Sequence, residues 1–149
     1  MEIERKFLIK ELPDLSKYNY VDIEQGYLST QPVVRIRKKN DAYILTYKGG
    51  GLMAREEIEA ALTKEAYEHL REKIDGYPIT KRRYLIPLDK YTIELDVFEG
   101  HMEGLIMAEV EFSSIEEANS FVAPDWFGQD VTEDPRYHNS RMIFGNPLS

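Results

Sequence analysis

The first ten residues, MEIERKFLIK, constrain the fold more tightly than any other stretch of this 149-residue chain. Successive side chains of a strand point to opposite faces. Glu2, Glu4 and Lys6 therefore share one face, and Ile3, Phe7 and Ile9 share the other. The ionic side carries two carboxylates a pleat repeat apart, followed by an ammonium. The same alternation returns along the chain. Val33–Lys38 (VVRIRK) sets Arg35 and Arg37 against Val34 and Ile36, and Asn40-Asp41 makes a tight turn into the next segment. Ala42–Lys48 sets Thr46 and Lys48 against Tyr43, Leu45 and Tyr47. Met53–Ala60 keeps Arg55, Glu57 and Glu59 in phase. Ile79–Pro87 (ITKRRYLIP) has Lys81 and Arg83 on one face. Tyr91–Phe98 opposes Glu94 and Asp96 to Ile93, Leu95 and Val97. Leu105–Phe112 opposes Glu109 and Glu111 to Ala108, Val110 and Phe112. Val21–Thr30 reads as a further strand, with Gly26 marking a bulge.

Helices are expected at three places. Thr63 can cap one that runs to Ile74, with Ala66, Tyr67, Leu70 and Ile74 as its apolar stripe and Gly76 as its stop. Ser113 or Ser114 opens a second, each with a glutamate three residues on. Asp134-Pro135 starts the last, which carries Tyr137, Asn139, Ser140, Arg141 and Met142 and ends near Gly145. A turn is expected over Pro124–Gly128. Gly49-Gly50-Gly51 lacks the Lys-Ser/Thr of a phosphate-cradling loop and reads as a turn. With no repeat, linker or low-complexity tract, residues 1–149 are read as a single domain. The sequence has no cysteine, which excludes disulfides, thiolate metal sites and cysteine nucleophiles and fits a reducing cytoplasm. It has no apolar run of membrane-spanning length and no signal-peptide pattern. A net charge of −8 argues against non-specific nucleic-acid binding. Neither membrane nor nucleic acid is an expected partner.

The in-phase charges are segregated by strand. Arg35 with Arg37, and Lys81 with Arg83, lie on basic strands; Glu94 with Asp96, and Glu109 with Glu111, lie on acidic ones. Two architectures accommodate this. An open sheet can turn its charged face to water, or the sheet can close into a barrel that holds the charges inside. Two like charges about 4 Å apart repel by about 4 kcal/mol at an effective dielectric of about 20, so an enclosed set requires counter-ions. Converging arginines and lysines suit a polyanion, because guanidinium forks match phosphate oxygens. The carboxylates of Glu2, Glu4, Asp96, Glu109 and Glu111 suit a hard divalent cation, Mg²⁺ or Mn²⁺. Polyanion and cation together point to a polyphosphate or a triphosphate-bearing ligand.

These residues resemble the CYTH superfamily, the triphosphate tunnel metalloenzymes. The ExExK of Glu2, Glu4 and Lys6 is followed in order by VRIR, LTYKG, REEIE, KRRY, ELDVF and AEVEF. The late TEDPRYHNSRM is similar to the family's C-terminal helix segment. The resemblance implies an α+β fold, an eight-stranded antiparallel closed β-barrel with a charged interior and helices packed outside. It implies that Glu2, Glu4, Asp96, Glu109 and Glu111 hold metal, two ions per site. Lys6, Arg35, Arg37, Lys48, Arg55, Lys81 and Arg83 would grip phosphates. Glu4, Lys6 and Glu111 would stand nearest the chemistry. The short chain is most similar to compact bacterial enzymes that hydrolyse inorganic triphosphate to pyrophosphate and phosphate. The rival expectations are a class IV adenylyl cyclase, a hydrolase of thiamine triphosphate or nucleoside triphosphates, and a non-catalytic polyphosphate binder. A homodimer is compatible with the sequence and not specified by it.

Other residues are expected in lesser roles. Glu57 and Glu59 suit structural partners of the arginines. His69 suits a solvated position. His138 is a candidate for the tunnel mouth, and Arg141 for projecting inward from a helix that plugs the tunnel, against the commoner solvent-facing role. Trp126 suits core packing, and Tyr27 and Tyr137 suit rim or packing positions.

Overall fold

The computed structural model describes residues 3–49 and 56–148. Glu2, the Gly50-Gly51 pair, Met53 and Arg55, all weighed above, lie outside the described residues. Nine antiparallel strands are present among those described: β1 (Ile3–Ile9), β2 (Asn19–Thr30), β3 (Val33–Lys39), β4 (Ala42–Lys48), β5 (Glu57–Ala61), β6 (Asp75–Leu88), β7 (Tyr91–Glu99), β8 (Ile106–Phe112) and β9 (Phe127–Asp130). They form one sheet in the order β5-β4-β3-β2-β6-β7-β8-β1-β9. The alternation of charged and apolar residues thus becomes sheet, because period two is the period of a pleated strand.

The sheet is antiparallel as expected, while its closure into a barrel of eight strands is not present among the described residues. The sheet has nine strands, and among the described residues no ladder joins β5 to β9 or to β1. The ninth, Phe127–Asp130, falls where the sequence suggests a turn; it pairs with β1 at Phe7–Asp130 and Ile9–Phe127 across an irregularity. The sheet nevertheless curls, since residues from β1 and from β5, near its two ends in strand order, line one cavity of about 640 Å³. Gly26 sits at the predicted bulge: the register with β6 shifts between Gln25 and Tyr27, and that with β3 shifts between Tyr27 and Ser29.

Among the described residues three short helices decorate the sheet: α1 (Lys64–Arg71), α2 (Ile115–Ser120) and α3 (Asn139–Met142). Thr63 caps α1 by accepting from the Ala66 N–H, and Ser114 caps α2 by accepting from the Glu117 N–H. α1 ends at Arg71, short of the expected Ile74, so Gly76 does not stop it and instead lies inside β6. The expected C-terminal helix is split into a 3₁₀ turn over Pro135–Tyr137, capped by Asp134, and α3 after His138.

The apolar residues form two clusters. One, built on Phe7, Leu95, Val110, Phe112 and Phe127, lies on the outer face, with Ala118 of α2 within it and Trp126 packed against it. The other gathers Ile79, Phe98, Met107, Val131, Tyr137, Met142 and Ile143. Ile79, Phe98 and Met107 lie in phase with Lys81, Asp96 and Glu109, so they share the charged face by strand alternation. The inner face is therefore ionic along one part and apolar along another, and the C-terminal segment packs on the apolar part.

Candidate active site

Eight strands and α3 contribute to the lining of the cavity. Glu4 and Lys6 come from β1, Arg35 and Arg37 from β3, Lys48 from β4, Arg83 from β6, and Glu109 and Glu111 from β8. Glu57 and Glu59 of β5 and Glu94 of β7 join them. The sheet brings these sequence-distant residues together because the ladders hold them in register. Lys6 stands opposite Glu109 and Glu4 opposite Glu111. Glu94 stands opposite Glu109, and Lys48 opposite Glu57.

Lys81 and Asp96 depart from the expectation. Neither lines the cavity; Lys81 is 0% exposed and Asp96 1%. The Lys81 ammonium lies 2.8 Å from Asp96 Oδ2 and 5.2 Å from the Phe98 ring centroid. The pairing with Asp96 is one of charge rather than of an aligned hydrogen bond. Arg83 donates to Asp96 through Nε at 2.8 Å and Nη2 at 3.0 Å. In this placement the Asp96 carboxylate is held by Lys81 and by Arg83 together. Burial pushes the Asp96 carboxyl up, but the Lys81 and Arg83 charges and the Arg83 hydrogen bonds outweigh it and hold the carboxyl below its ordinary value.

Arg83 does reach the cavity, yet its guanidinium is surrounded by acids. Nη1 donates to Glu94 at 3.1 Å, and Nη2 lies 3.7 Å from Glu109. Lys6 Nζ lies 3.8 Å from Glu109 on the other side. Residues after β9 fix the backbone of Lys6: its N–H donates to Thr132 Oγ1, and its carbonyl accepts from the Val131 N–H, each at 2.9 Å.

The wall formed by Arg35 and Arg37 has a different character. Arg37 Nε donates to Gln25 Oε1 at 2.8 Å, and Arg35 Nη2 donates over a long 3.4 Å to Thr46 Oγ1. Arg35 Nε is buried with no hydrogen-bond partner. Burial, with repulsion from Arg35 and Arg83, pulls the Arg37 guanidinium down to about 10. This wall holds positive charge at a cost that an anion in the cavity would remove.

The opposite wall tests whether a divalent cation fits. Its candidate ligands are all carboxylate oxygens, a donor set that suits Mg²⁺ or Mn²⁺. Glu4 and Glu111, and likewise Glu94 and Glu109, stand in direct cross-strand register. Like charges so placed destabilise a sheet; Arg83 and Lys6 offset the Glu94–Glu109 pair in part, and a divalent cation would add to that. Among the described residues, no three such side chains are already gathered as a metal cage.

Some cavity residues are not charged and so lie outside the reading by charge. Tyr27, Val33, Asn139 and Ser140 line it. Tyr27 is a direct cross-strand neighbour of Arg35; burial pushes its phenol up, against the pull of Arg35 and Arg37. Its position in phase with Ile23 and Gln25 is the one signal the sequence offers. His138 instead bonds through Nε2 to the Thr132 carbonyl at 3.1 Å, while Arg141 and His69 are exposed.

The family model described as the CYTH domain matches residues 1–140. The chain belongs to the CYTH family. A relative from Nitrosomonas europaea named inorganic triphosphatase is 39% identical over 150 residues, covering 98% of this chain and 99% of that protein. Another of the same name, from Acetivibrio thermocellus, is 38% identical over 149 residues, covering 95% of this chain and 92% of its own length. A crystal structure of an inorganic triphosphatase superposes on this CYTH protein with a TM-score of 0.79 at 37% identity, covering 99% of this chain and 97% of that one.

Proposed function

We propose that this CYTH protein is an inorganic triphosphatase, hydrolysing tripolyphosphate to pyrophosphate and phosphate with a divalent cation. The observation that carries this is the pair Arg35 and Arg37, bonded to the neutral Thr46 and Gln25, facing a wall of in-register glutamates across one cavity. Relatives bearing the name inorganic triphosphatase over nearly the whole chain support it.

In this reading Arg35, Arg37 and Lys48 hold phosphate oxygens and orient the chain of phosphates. Lys6, backed by Glu109, contributes a point charge from the facing wall. Glu4, Glu109 and Glu111, with Glu94 beside them, would hold Mg²⁺ or Mn²⁺. Such an ion lowers the pKa of a bound water and offsets phosphate charge. The arginines stabilise negative charge that builds on the departing pyrophosphate, the larger share of catalysis in phosphoryl transfer. Two ions, and closure of the β5 edge to complete a tunnel round the substrate, belong to the same proposal. So does a cytoplasmic setting, which the absence of cysteine favours. No helix among the described residues is long and apolar enough to cross a membrane.

The test is an assay of phosphate, pyrophosphate and cyclic AMP release from tripolyphosphate, ATP and thiamine triphosphate, with Mg²⁺, Mn²⁺ or chelator. Equimolar phosphate and pyrophosphate from tripolyphosphate, abolished by chelator, is the expected result. Cyclic AMP from ATP, faster turnover of an organic triphosphate, or binding with no turnover under any metal would each replace this reading with a rival.

A further inference from the structure

We propose that Gln25 is a positioning residue for anion binding, holding the Arg37 guanidinium toward the cavity without cancelling its charge. The proposal rests on the triphosphatase reading and names how that site keeps its positive wall. Five other arginines among the described residues are oriented by carboxylates. Arg5 bonds Asp130, Arg71 bonds Glu24, Arg82 bonds Asp22, Arg83 bonds Asp96 and Arg136 bonds Asp134, all within 2.9 Å. Each of those guanidinium charges is matched by an acid. Arg37 departs from the pattern. Its direct cross-strand neighbour is Gln25, and the amide oxygen accepts from Nε at 2.8 Å.

The choice of amide is costly to the fold. Gln25 is 0% exposed, and its Nε2 is buried without a hydrogen-bond partner. A glutamate of the same shape would remove that orphaned donor and form a charge-assisted bond to Arg37, the stronger kind. On stability alone the carboxylate is the better residue. On anion binding it is the worse one, because it would supply the counter-charge that the ligand is meant to bring. Thr46, opposite Arg35 in the β3–β4 register, is neutral in the same way. The basic residues therefore divide: Arg35 and Arg37 keep their charge for the ligand, while the charge of Arg83 is absorbed by Asp96 and Glu94.

Gln25→Glu and Gln25→Met in the full chain test this, with thermal midpoint, KM, kcat and calorimetric binding of tripolyphosphate as readouts. Gln25→Glu should raise KM and the dissociation constant about tenfold or more, with the midpoint unchanged or higher and kcat at saturation within about twofold, the pattern of lost ground-state binding. Gln25→Met, which loses the acceptor but adds no charge, should raise KM less. If Gln25→Glu leaves KM and binding unchanged, or if both variants raise KM equally, the proposal is overturned. Should Gln25→Glu fail to fold, Gln25→Met decides: a severalfold rise in KM at constant kcat supports it, and an unchanged KM overturns it. A wild-type protein that neither binds nor cleaves tripolyphosphate overturns the triphosphatase reading instead.

Discussion

Asp96 shows what one side chain can be asked to do when burial and charge act together. Two cations contact it, Lys81 at 2.8 Å and Arg83 at 2.8 Å, in a place closed to solvent. Removing one partner of a buried pair leaves an uncompensated charge, so Asp96→Ala should cost about 3–5 kcal/mol in urea unfolding. A loss under about 1 kcal/mol, the range of an exposed pair, would contradict that burial. The depressed carboxyl also sets a pH dependence. A group whose folded pKa lies below its unfolded value, about 3.9 for aspartate, stabilises above that value, and the contribution is lost as pH falls through the folded pKa. Wild-type stability should therefore drop more steeply than that of Asp96→Asn as the pH is taken below about 4. Parallel curves would assign the acid sensitivity to other depressed carboxyls, such as Glu24 and Asp130.

The strands are legible in the sequence because period-two alternation is imposed by backbone geometry, whatever the tertiary contacts. That is why Glu4 and Lys6 of ExExK, VRIR and AEVEF land in β1, β3 and β8 with their in-phase charges on one face. Lys81 and Asp96 have the expected phase but lie deeper than the cavity lining. Phase assigns a face, while depth depends on where along a curved sheet the cavity ends, and no local pattern states that. The same limit hides Asn139 and Ser140, which the folding back of α3 brings to the wall. β9 escapes because four residues just beyond Pro124 carry too little pattern. Gly76 reads as a helix stop by residue type alone, but its φ of +64° lies within β6, and a Cβ there would collide with the Ile143 carbonyl. The next residue, Tyr77, donates its N–H to that same carbonyl at 2.8 Å. Gly76→Ala should thus destabilise by roughly 1–3 kcal/mol in chemical denaturation, through both strain and displacement of the C-terminal segment. A neutral result would mean that the segment shifts freely, and then the wall formed by Asn139 and Ser140 would not be fixed.

The molecule as a whole carries a net charge of −8, yet the proposed ligand is a polyanion. The two are reconciled by segregation: Arg35, Arg37 and Lys48 lie on one wall of the cavity, and net charge says little about a field focused inside a concave site. In the free protein Arg37 is lowered first by burial and then by repulsion from Arg35 and Arg83. A ligand that binds the folded state alone stabilises it by RT ln(1 + [L]/Kd), about 2.7 kcal/mol at a hundredfold excess over Kd. For a domain of this size that is a rise in Tm of roughly 5–10 °C. Tripolyphosphate added with chelator, so that no turnover follows, should produce this shift in a thermal melt. Sulfate at matched ionic strength should produce much less, because it screens the arginines without spanning the cavity. Equal shifts from both anions would reduce the effect to screening and leave the curled sheet without a specific ligand, whereas a shift confined to tripolyphosphate and diminished in Gln25→Glu would tie it to the neutral-partnered arginines.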